Sequence, residues 1–337
     1  MSQATLVGLI AIFALGVCFD YINGFHDTAN AIATSVATRA IKPEFAILLS
    51  ATANFVGAIV LGTAVAGTIG SGIVQDNLVL GNGSTVLFAA LLGAISWNLI
   101  TWRLSIPSSS SHALIGGLIG AAWASAGGGA VQWGTFAAKI LVPLFSSPIL
   151  GLVIGFGLMV LILNVFVRAN PRRMNDRFRK LQIVSATYMA LAHGSNDAQK
   201  TMGIMTLALF SAGAIHNKVV PIPVILIAAT AMSFGTAAGG WRIMKTMGQR
   251  VVKLDPVHGF AAETTAASII MVASSFGMPV STTHVISTAI MGVGTSDRIK
   301  AVRWGIARGI VTAWILTIPA AAIIAGTAYL VLHVVGL

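Results

Sequence analysis

Long apolar runs separated by short basic segments dominate the chain, and strict polar–apolar alternation is absent. Seven runs contain no Asp, Glu, Lys or Arg: residues 45–75, 77–102, 104–138, 140–167, 219–240, 264–296 and 309–337. Each meets or exceeds the roughly 20 residues that an α-helix needs to cross about 30 Å of hydrocarbon. A lipid-facing barrel would instead show short alternating segments. The pattern therefore predicts an all-α polytopic membrane protein, with residues 1–19 as its first membrane segment rather than a cleaved signal peptide.

The charge distribution supports a membrane protein and argues against a nucleic-acid partner. Only 9% of residues are charged, whereas soluble domains have about a quarter. The net charge of +11 is concentrated in residues 168–180, 242–253 and 298–308. Such short basic segments are typical of cytoplasmic loops and can contact anionic lipids. The single cysteine, Cys18, excludes an internal disulfide and disfavours a metal cluster.

Two motifs occur twice, in the same order. The sequence GFHDTAN at 24–30 corresponds to GSNDAQK at 194–200, which aligns Asp27 with Asp197 at an offset of 170 residues. The sequence PSSSSH at 107–112 corresponds to PVSTTH at 279–284, which aligns His112 with His284 at an offset of 172. Two motifs at nearly the same offset indicate a tandem duplication.

The basic segments predict that the two halves have inverted topology. We expect a first repeat at 1–167, a cytoplasmic basic linker at 168–180 and a second repeat at 181–337, with both termini outside. Each repeat is expected to contain broken helices and a re-entrant helical hairpin, because Gly277 and Pro279 interrupt the apolar sequence at 274–279. Inverted repeats with broken helices are typical of secondary transporters, whose sites lie near the membrane midplane.

Three carboxylates, Asp27, Asp197 and Glu263, lie within or beside apolar sequence. A charge at the bilayer centre costs at least about 2.5–3.5 kcal/mol unless it is paired, hydrated or bound to an ion. Oxygen ligands without thiolates favour a hard cation such as Na⁺, and carbonyls at a helix break could complete its shell. The predicted sodium ligands are Asn23, Asp27, Asn30, Asn196, Asp197 and Gln199. Lys200 is either the ion-pair partner of Asp197 or a proton-linked group, and Glu263 is either proton-linked or joins helices.

The duplicated hydroxyl motifs predict an anion site. Each follows a proline and precedes an apolar run, as a helix start does, and helix N-termini bind anions through free N–H groups and the helix dipole. The predicted phosphate ligands are Thr28, Ser108, Ser109, Ser110, Ser111, Ser281, Thr282 and Thr283. His112 and His284 end the two motifs and either orient the hydroxyls, take part in protonation or serve packing.

These motifs resemble the PiT-type inorganic phosphate transporters, whose signature is a duplicated G-x-N-D-x-A-N-like motif. The resemblance covers essentially the whole chain and includes both hydroxyl tips. It implies a cation-driven phosphate symporter with Asp27 and Asp197 in the cation sites. Two departures stand out: His26 replaces a frequent Asn, and Gln199-Lys200 replaces Ala-Asn. The short central segment suggests a prokaryotic protein of the plasma (inner) membrane.

The sequence therefore predicts sodium-driven import of inorganic phosphate by alternating access, with no enzymatic activity and no cofactor beyond the coupling ions. A proton-coupled phosphate or sulfate permease of the same fold is the main alternative, and a passive anion channel is another. A membrane hydrolase is disfavoured because no G-x-S-x-G or H-E-x-x-H motif is present. A homodimer remains open.

Overall fold

A computed structural model of the chain describes residues 3–335, which form helices joined by short turns and no β-strand. The helices are α1 (Gln3–Ala37), α2 (Pro43–Val60), α3 (Ala64–Gly72), α4 (Asp76–Arg103), α5 (Ser110–Ala126), α6 (Trp133–Phe136), α7 (Val142–Val165), α8 (Pro171–Ser211), α9 (Ile222–Ala238), α10 (Trp241–Lys245), α11 (Pro256–Ser275), α12 (Thr282–Asp297) and α13 (Trp304–Val334). Short 3₁₀ and π turns connect several of them. The predicted all-α class is confirmed.

Five stretches of helix among the described residues are long and apolar enough to cross a membrane: Thr5–Ala37, Pro43–Val60, Gly83–Arg103, Trp133–Val165 and Trp304–Val334. Their outer faces expose large apolar side chains, such as Phe145 and Ile149 on α7 and Ile323 on α13. Small residues are buried where helices meet, including Ala121 and Ala321. This distribution is typical of helices surrounded by lipid, which pack through small residues.

Two helical hairpins carry the hydroxyl motifs. Helix α4 packs against α5, and α11 packs against α12. Helix α11 ends at Ser275, and Gly277 takes the left-handed conformation with φ +66° before α12 begins at Thr282. The predicted interruption at 274–279 is therefore confirmed, since glycine tolerates this backbone conformation and Pro279 cannot continue a helix.

Both predicted helix starts are confirmed, and both are capped in the same way. The Ser109 side chain accepts a hydrogen bond from the backbone N–H of His112 at the start of α5. The Ser281 side chain accepts one from the backbone N–H of His284 at the start of α12. A serine that bonds the N–H three residues later is a common N-cap. The duplicated motifs therefore build the same local structure twice.

The expected helix break at the aspartate motifs is wrong. Helix α1 runs without interruption through 24–30, and α8 does so through 194–200. Their backbone carbonyls are therefore engaged within the helices rather than free to bind a cation. The motif glycines serve close packing instead: a Cβ at Gly24 would overlap the α9 backbone, and one at Gly194 would overlap the α2 backbone. Breaks between helices lie instead at the hairpin tips and at 61–63 and 239–240.

The basic segment is largely helical rather than a loop. Helix α8 begins at Pro171, and the Asn170 side chain caps it by accepting a hydrogen bond from the Arg172 N–H at 3.0 Å. Residues 171–180 thus form the first turns of the helix that carries Asp197. The prediction that both chain ends face the cell exterior involves residues 1–2 and 336–337, which are not among the described residues.

Helices α1 and α8 pack against each other in antiparallel orientation. Near one end, Thr201 of α8 donates a hydrogen bond to Asp20 of α1. Near the other end, Thr34 of α1 and Ser185 of α8 donate to the same Glu263 carboxylate. The order of contacts is opposite along the two helices. Their shared face is polar and buried, and it contains both aspartate motifs.

Candidate functional site

The site lies where the middle parts of α1 and α8 meet the starts of α5 and α12. Asp27 is 2% exposed and Asp197 is fully buried. One ligand atom each from Asp27, His193 and Asp197 lie within 4.8 Å of one another. The two halves of the chain therefore contribute their aspartates to a single group. Two carboxylates this close and this buried require nearby positive charge or strong hydrogen-bond donors.

The first-half carboxylate is held by neutral hydrogen-bonding groups and a histidine. One oxygen of Asp27 lies 2.7 Å from His26 Nδ1, and the other accepts a hydrogen bond from Ser110 Oγ at 3.1 Å. The second ring nitrogen of His26 lies 3.1 Å from the Thr101 hydroxyl on α4. His26 thus links the aspartate to the first hairpin.

The second-half carboxylate has an ammonium partner. One oxygen of Asp197 forms an ion pair with the Lys200 Nζ one helical turn later, and the same Nζ contacts the Ser111 hydroxyl. The other oxygen accepts a hydrogen bond from Thr282 Oγ1 at 3.3 Å and lies 3.2 Å from His193 Nε2. All of these groups are nearly or fully buried.

The two hairpin tips meet each other at the same place. Ser111 Oγ donates to the carbonyl of Val280 at 3.3 Å, and the rings of His112 and His284 are 4.8 Å apart. Asn30 of α1 donates to the Thr283 hydroxyl at 2.9 Å and lies 3.3 Å from that of Thr282. The tips therefore form one patch of hydroxyl groups and helix N-termini beside the two aspartates.

Each aspartate contacts the hydroxyl at the corresponding position of one tip. Ser110 donates to Asp27, and Thr282, its counterpart 172 residues later, donates to Asp197. The helix starts carry unpaired backbone N–H groups and the positive end of the helix dipole. An anion beside these starts would gain donors, whereas a cation between the aspartates would gain oxygens. The arrangement can accommodate both charges side by side.

Three predicted amide ligands have oxygens available for a cation. Neither polar atom of the Asn23 side chain has a hydrogen-bond partner among the described residues, and the same holds for Oδ1 of Asn30 and Oδ1 of Asn196. All three side chains are buried. A buried polar atom without a partner is uncommon in native proteins and points to a missing ligand or water. These three amides therefore fit the predicted ligand role.

Other predicted ligands make different contacts. Gln199 Oε1 accepts from the Val65 N–H at 2.8 Å, so this side chain caps α3 rather than facing the aspartates. Thr28 Oγ1 donates to the carbonyl of Gly24 in its own helix at 2.7 Å. Ser108 Oγ donates to Thr101 at 2.8 Å. The structure does not bring these three to the aspartate pair, because each has a nearer backbone or hydroxyl partner.

The paired histidines take part in packing. His284 stacks on Trp314 of α13 at 3.9 Å between ring centroids, and the Trp314 indole N–H donates to the carbonyl of Pro107 at 3.2 Å. Neither ring nitrogen of His284 has a hydrogen-bond partner among the described residues. The histidines thus fix the position of one tip relative to the other. This contact supports the packing interpretation more than the orienting one.

Glu263 forms a separate polar cluster toward one end of α1. Its carboxylate accepts hydrogen bonds from the hydroxyls of Thr34, Ser35 and Ser185 and from the Gln182 amide, with Thr34 and Ser185 each at 2.5 Å. Thr34 lies seven residues after Asp27, about 10 Å along the helix axis. The cluster joins α1, α8 and α11 and is distinct from the aspartate pair.

Sequence reasoning gave too little weight to Asp20, His26 and His193. Asp20 is fully buried and accepts a hydrogen bond from Thr201 at 2.5 Å, although its sequence position suggested a segment end. Its spacing from Asn23 and Asp27, three and then four residues, places all three on one helix face and was the available signal. His193 precedes Asp197 by one turn, which would have predicted the contact.

Comparison with known proteins shows what the whole chain is similar to. The phosphate transporter family model matches residues 23–325. A Bacillus subtilis protein named "Probable low-affinity inorganic phosphate transporter" is 49% identical, with 98% of each chain covered. A Rhizobium meliloti protein of the same name is 46% identical over 96% of this chain and 95% of its own.

A solved structure titled "The sodium-dependent phosphate transporter" superposes with a TM-score of 0.90 at 26% identity, covering 98% of this chain and all of its own. Members of the matching family transport a solute and are not enzymes, which confirms the prediction of no catalytic activity. The duplicated aspartate and hydroxyl motifs, the polytopic helical fold and these matches lead to one conclusion: the chain belongs to the phosphate transporter family.

Proposed function

We propose that the protein is a sodium-driven phosphate symporter that imports inorganic phosphate across the plasma membrane by alternating access. The observation that carries the proposal is the meeting of Asp27 and Asp197 with two hydroxyl-capped helix starts. Carboxylate and amide oxygens suit Na⁺, and helix N-termini suit an oxyanion. The similarity to a structure titled as a sodium-dependent phosphate transporter supports sodium as the coupling ion.

The cation side of the proposal rests on Asp27 and the amides around it. The unpartnered oxygens of Asn23 and Asn30 lie one turn before and one turn after Asp27 on α1. The three side chains share a helix face because the spacing is four and three residues. Sodium bound there would lower the electrostatic cost of bringing in an anion. Cation and phosphate would then bind with positive coupling.

The anion side rests on the tips of the two hairpins. Ser110, Ser111, Thr282 and Thr283 sit in the first turns of α5 and α12, where free N–H groups are concentrated. Phosphate keeps at least one proton near neutral pH, so its site requires an acceptor for that O–H. The carboxylate of Asp27 accepts from Ser110 and is therefore close enough to the tip to serve as that acceptor.

The proposed mechanism uses the two halves as inverted repeats that rock about the site. The antiparallel packing of α1 and α8 and the matching capping of α5 and α12 support this relation. In such transporters the binding site stays near the midplane while access alternates between the two sides. The basic segment 168–180 would then face the cytoplasm, in agreement with the positive-inside rule.

The test is uptake of radiolabelled phosphate into proteoliposomes under an imposed sodium gradient or an imposed proton gradient. Accumulation driven by sodium and unaffected by excess sulfate supports the proposal. Accumulation driven only by protons, or abolished by sulfate, would assign the protein to the rival permease. Phosphate that equilibrates without accumulating under either gradient would indicate a passive channel.

Two substitutions separate the cation and anion roles. Asp27→Asn should abolish sodium-coupled uptake while leaving the protein folded, since an amide of the same shape can still hydrogen-bond to His26 and Ser110. Thr282→Ala should raise the apparent phosphate constant more than the sodium constant. Unchanged sodium dependence in the first variant, or equal effects on both constants in the second, would contradict these roles.

A further inference from the structure

The two halves of the site differ in one charged residue. In the first motif Asn30 lies three residues after Asp27, and in the second motif Lys200 lies three residues after Asp197. Lys200 is 1% exposed, although lysine is almost never fully buried without a charged partner. Apart from histidine, it is the one cationic side chain among the described residues that contacts either aspartate. A buried ammonium at this position requires a physical explanation.

Corresponding contacts show that Lys200 occupies the position of Asn30. Asn30 donates its amide to Thr283 on the second tip at 2.9 Å. Lys200 contacts Ser111 on the first tip, and Ser111 is the counterpart of Thr283. The longer lysine side chain additionally reaches Asp197, whereas the Asn30 amide contacts hydroxyls of the second tip and leaves its own oxygen unpartnered.

The Lys200 ammonium supplies what a bound sodium ion would supply. It carries one positive charge and contacts a carboxylate oxygen and a hydroxyl oxygen, which are ligands of the type that a hard cation takes. The neighbouring carboxylate is thereby neutralised. A sodium ion placed beside it would meet a like charge in a medium of low dielectric constant, where repulsion over a few ångströms is strong. The Lys200 ammonium therefore disfavours a mobile cation at the Asp197 oxygen that it contacts.

The first half lacks such a group. The contacts of Asp27 are to His26 and Ser110, and unpartnered amide oxygens of Asn23 and Asn30 lie one turn away on the same helix. We propose that the Lys200 ammonium is a tethered cation that occupies the cation position of the second half, so that one coupling sodium ion binds, at Asp27. This inference rests on the proposed sodium-driven transport and specifies its stoichiometry.

The test measures how much labelled sodium and how much labelled phosphate proteoliposomes take up from the outside medium, and compares the two amounts as a ratio. The wild-type protein should carry about one sodium ion per phosphate. Lys200→Asn gives the second motif the residue type that the first motif has at Asn30, and it should carry about two sodium ions because the like charge is gone. Lys253→Asn changes an exposed lysine and is the matched control, which should keep the wild-type ratio. A wild-type ratio of two would overturn the tethered cation while leaving sodium-driven transport intact.

Thermal unfolding in detergent gives a second readout that does not depend on transport. Lys200→Asn leaves Asp197 buried without its ammonium, so sodium should raise the unfolding midpoint of this variant well beyond its effect on the wild type, as expected for a ligand that binds only the folded state. Equal sodium effects on the two proteins would overturn the inference. Sodium-independent uptake by the wild type would instead overturn the proposed function, and the midpoint shift would still report whether the lysine excludes a cation.

Lys200→Gln provides the same test should Lys200→Asn fail to fold. It keeps a side chain of similar reach and a donor for Ser111 but removes the charge. Potassium chloride at the same ionic strength is the control for general salt effects. A sodium-specific rise in the unfolding midpoint of Lys200→Gln supports the inference, and its absence in a folded Lys200→Gln protein overturns it.

Discussion

Neutralising the two aspartates should have very different effects on stability, although the sequence presents them as equivalents. Asp197→Asn removes the carboxylate that forms an ion pair with Lys200, whose side chain is 1% exposed. Breaking a buried pair by removing one partner costs about 3–5 kcal/mol, because the remaining charge is left uncompensated. Asp27→Asn removes a carboxylate whose partners are the hydroxyl of Ser110 and the ring of His26, and weakening these hydrogen bonds costs about 1–2 kcal/mol.

The assay is thermal unfolding of the purified proteins in detergent, without sodium. A difference of about 2–3 kcal/mol between the variants corresponds to roughly 3–4 °C in the unfolding midpoint of a chain of this length, with Asp197→Asn the lower. The double variant Asp197→Asn/Lys200→Met removes both charges and should recover most of the loss, since a buried pair is often replaceable by uncharged residues. Similar midpoints for the two single variants, or no recovery in the double variant, would refute the reasoning.

Three further predictions test the surroundings of the site. Glu263→Ala leaves four buried donors without their acceptor and should destabilise the fold by at least about 3 kcal/mol. The control Glu44→Ala, at the exposed start of α2, should change stability by less than about 0.5 kcal/mol. Equal unfolding midpoints for the two variants would contradict a stabilising role for the Glu263 cluster. Gly120→Ala should cost about 1–3 kcal/mol because its Cβ would overlap the α13 backbone, while a Cβ at Gly157 would meet no atom within 4 Å, so Gly157→Ala should unfold no lower than the wild type. Ser110→Ala should raise the apparent phosphate constant by about tenfold through the loss of one hydrogen bond to an anion, and an uptake curve identical to wild type would exclude phosphate contact.

The membrane class and the paired motifs were predictable because they depend on local sequence. A run of apolar residues crosses lipid as a helix whatever its neighbours are, since its backbone must satisfy its own hydrogen bonds. The caps of α5 and α12 follow from serine placed three residues before the N–H that it accepts. Gly277 and Pro279 ended a helix for equally local reasons.

The continuity of α1 and α8 was not predictable in this way. The polar residues of the aspartate motifs suggested a break in each helix, yet both helices are continuous, and Gly24 and Gly194 allow α9 and α2 to approach closely. Whether a glycine interrupts its helix or lets a neighbouring helix approach closely depends on which element lies against it. That neighbour is decided by tertiary packing.

In the site, too, some features depend on local sequence and others depend on tertiary packing. The sequence by itself determined that Asp27 and Asp197 belong to duplicated motifs, and that two hydroxyl-rich helix starts accompany them. Only the tertiary structure decided that these four elements converge, that Gln199 caps α3 instead, and that Lys200 contacts both Asp197 and the opposite hairpin. Contacts between residues more than 80 positions apart depend on how the helices pack, and in this chain that packing gives Asp197 an ammonium partner and gives Asp27 a histidine and a hydroxyl.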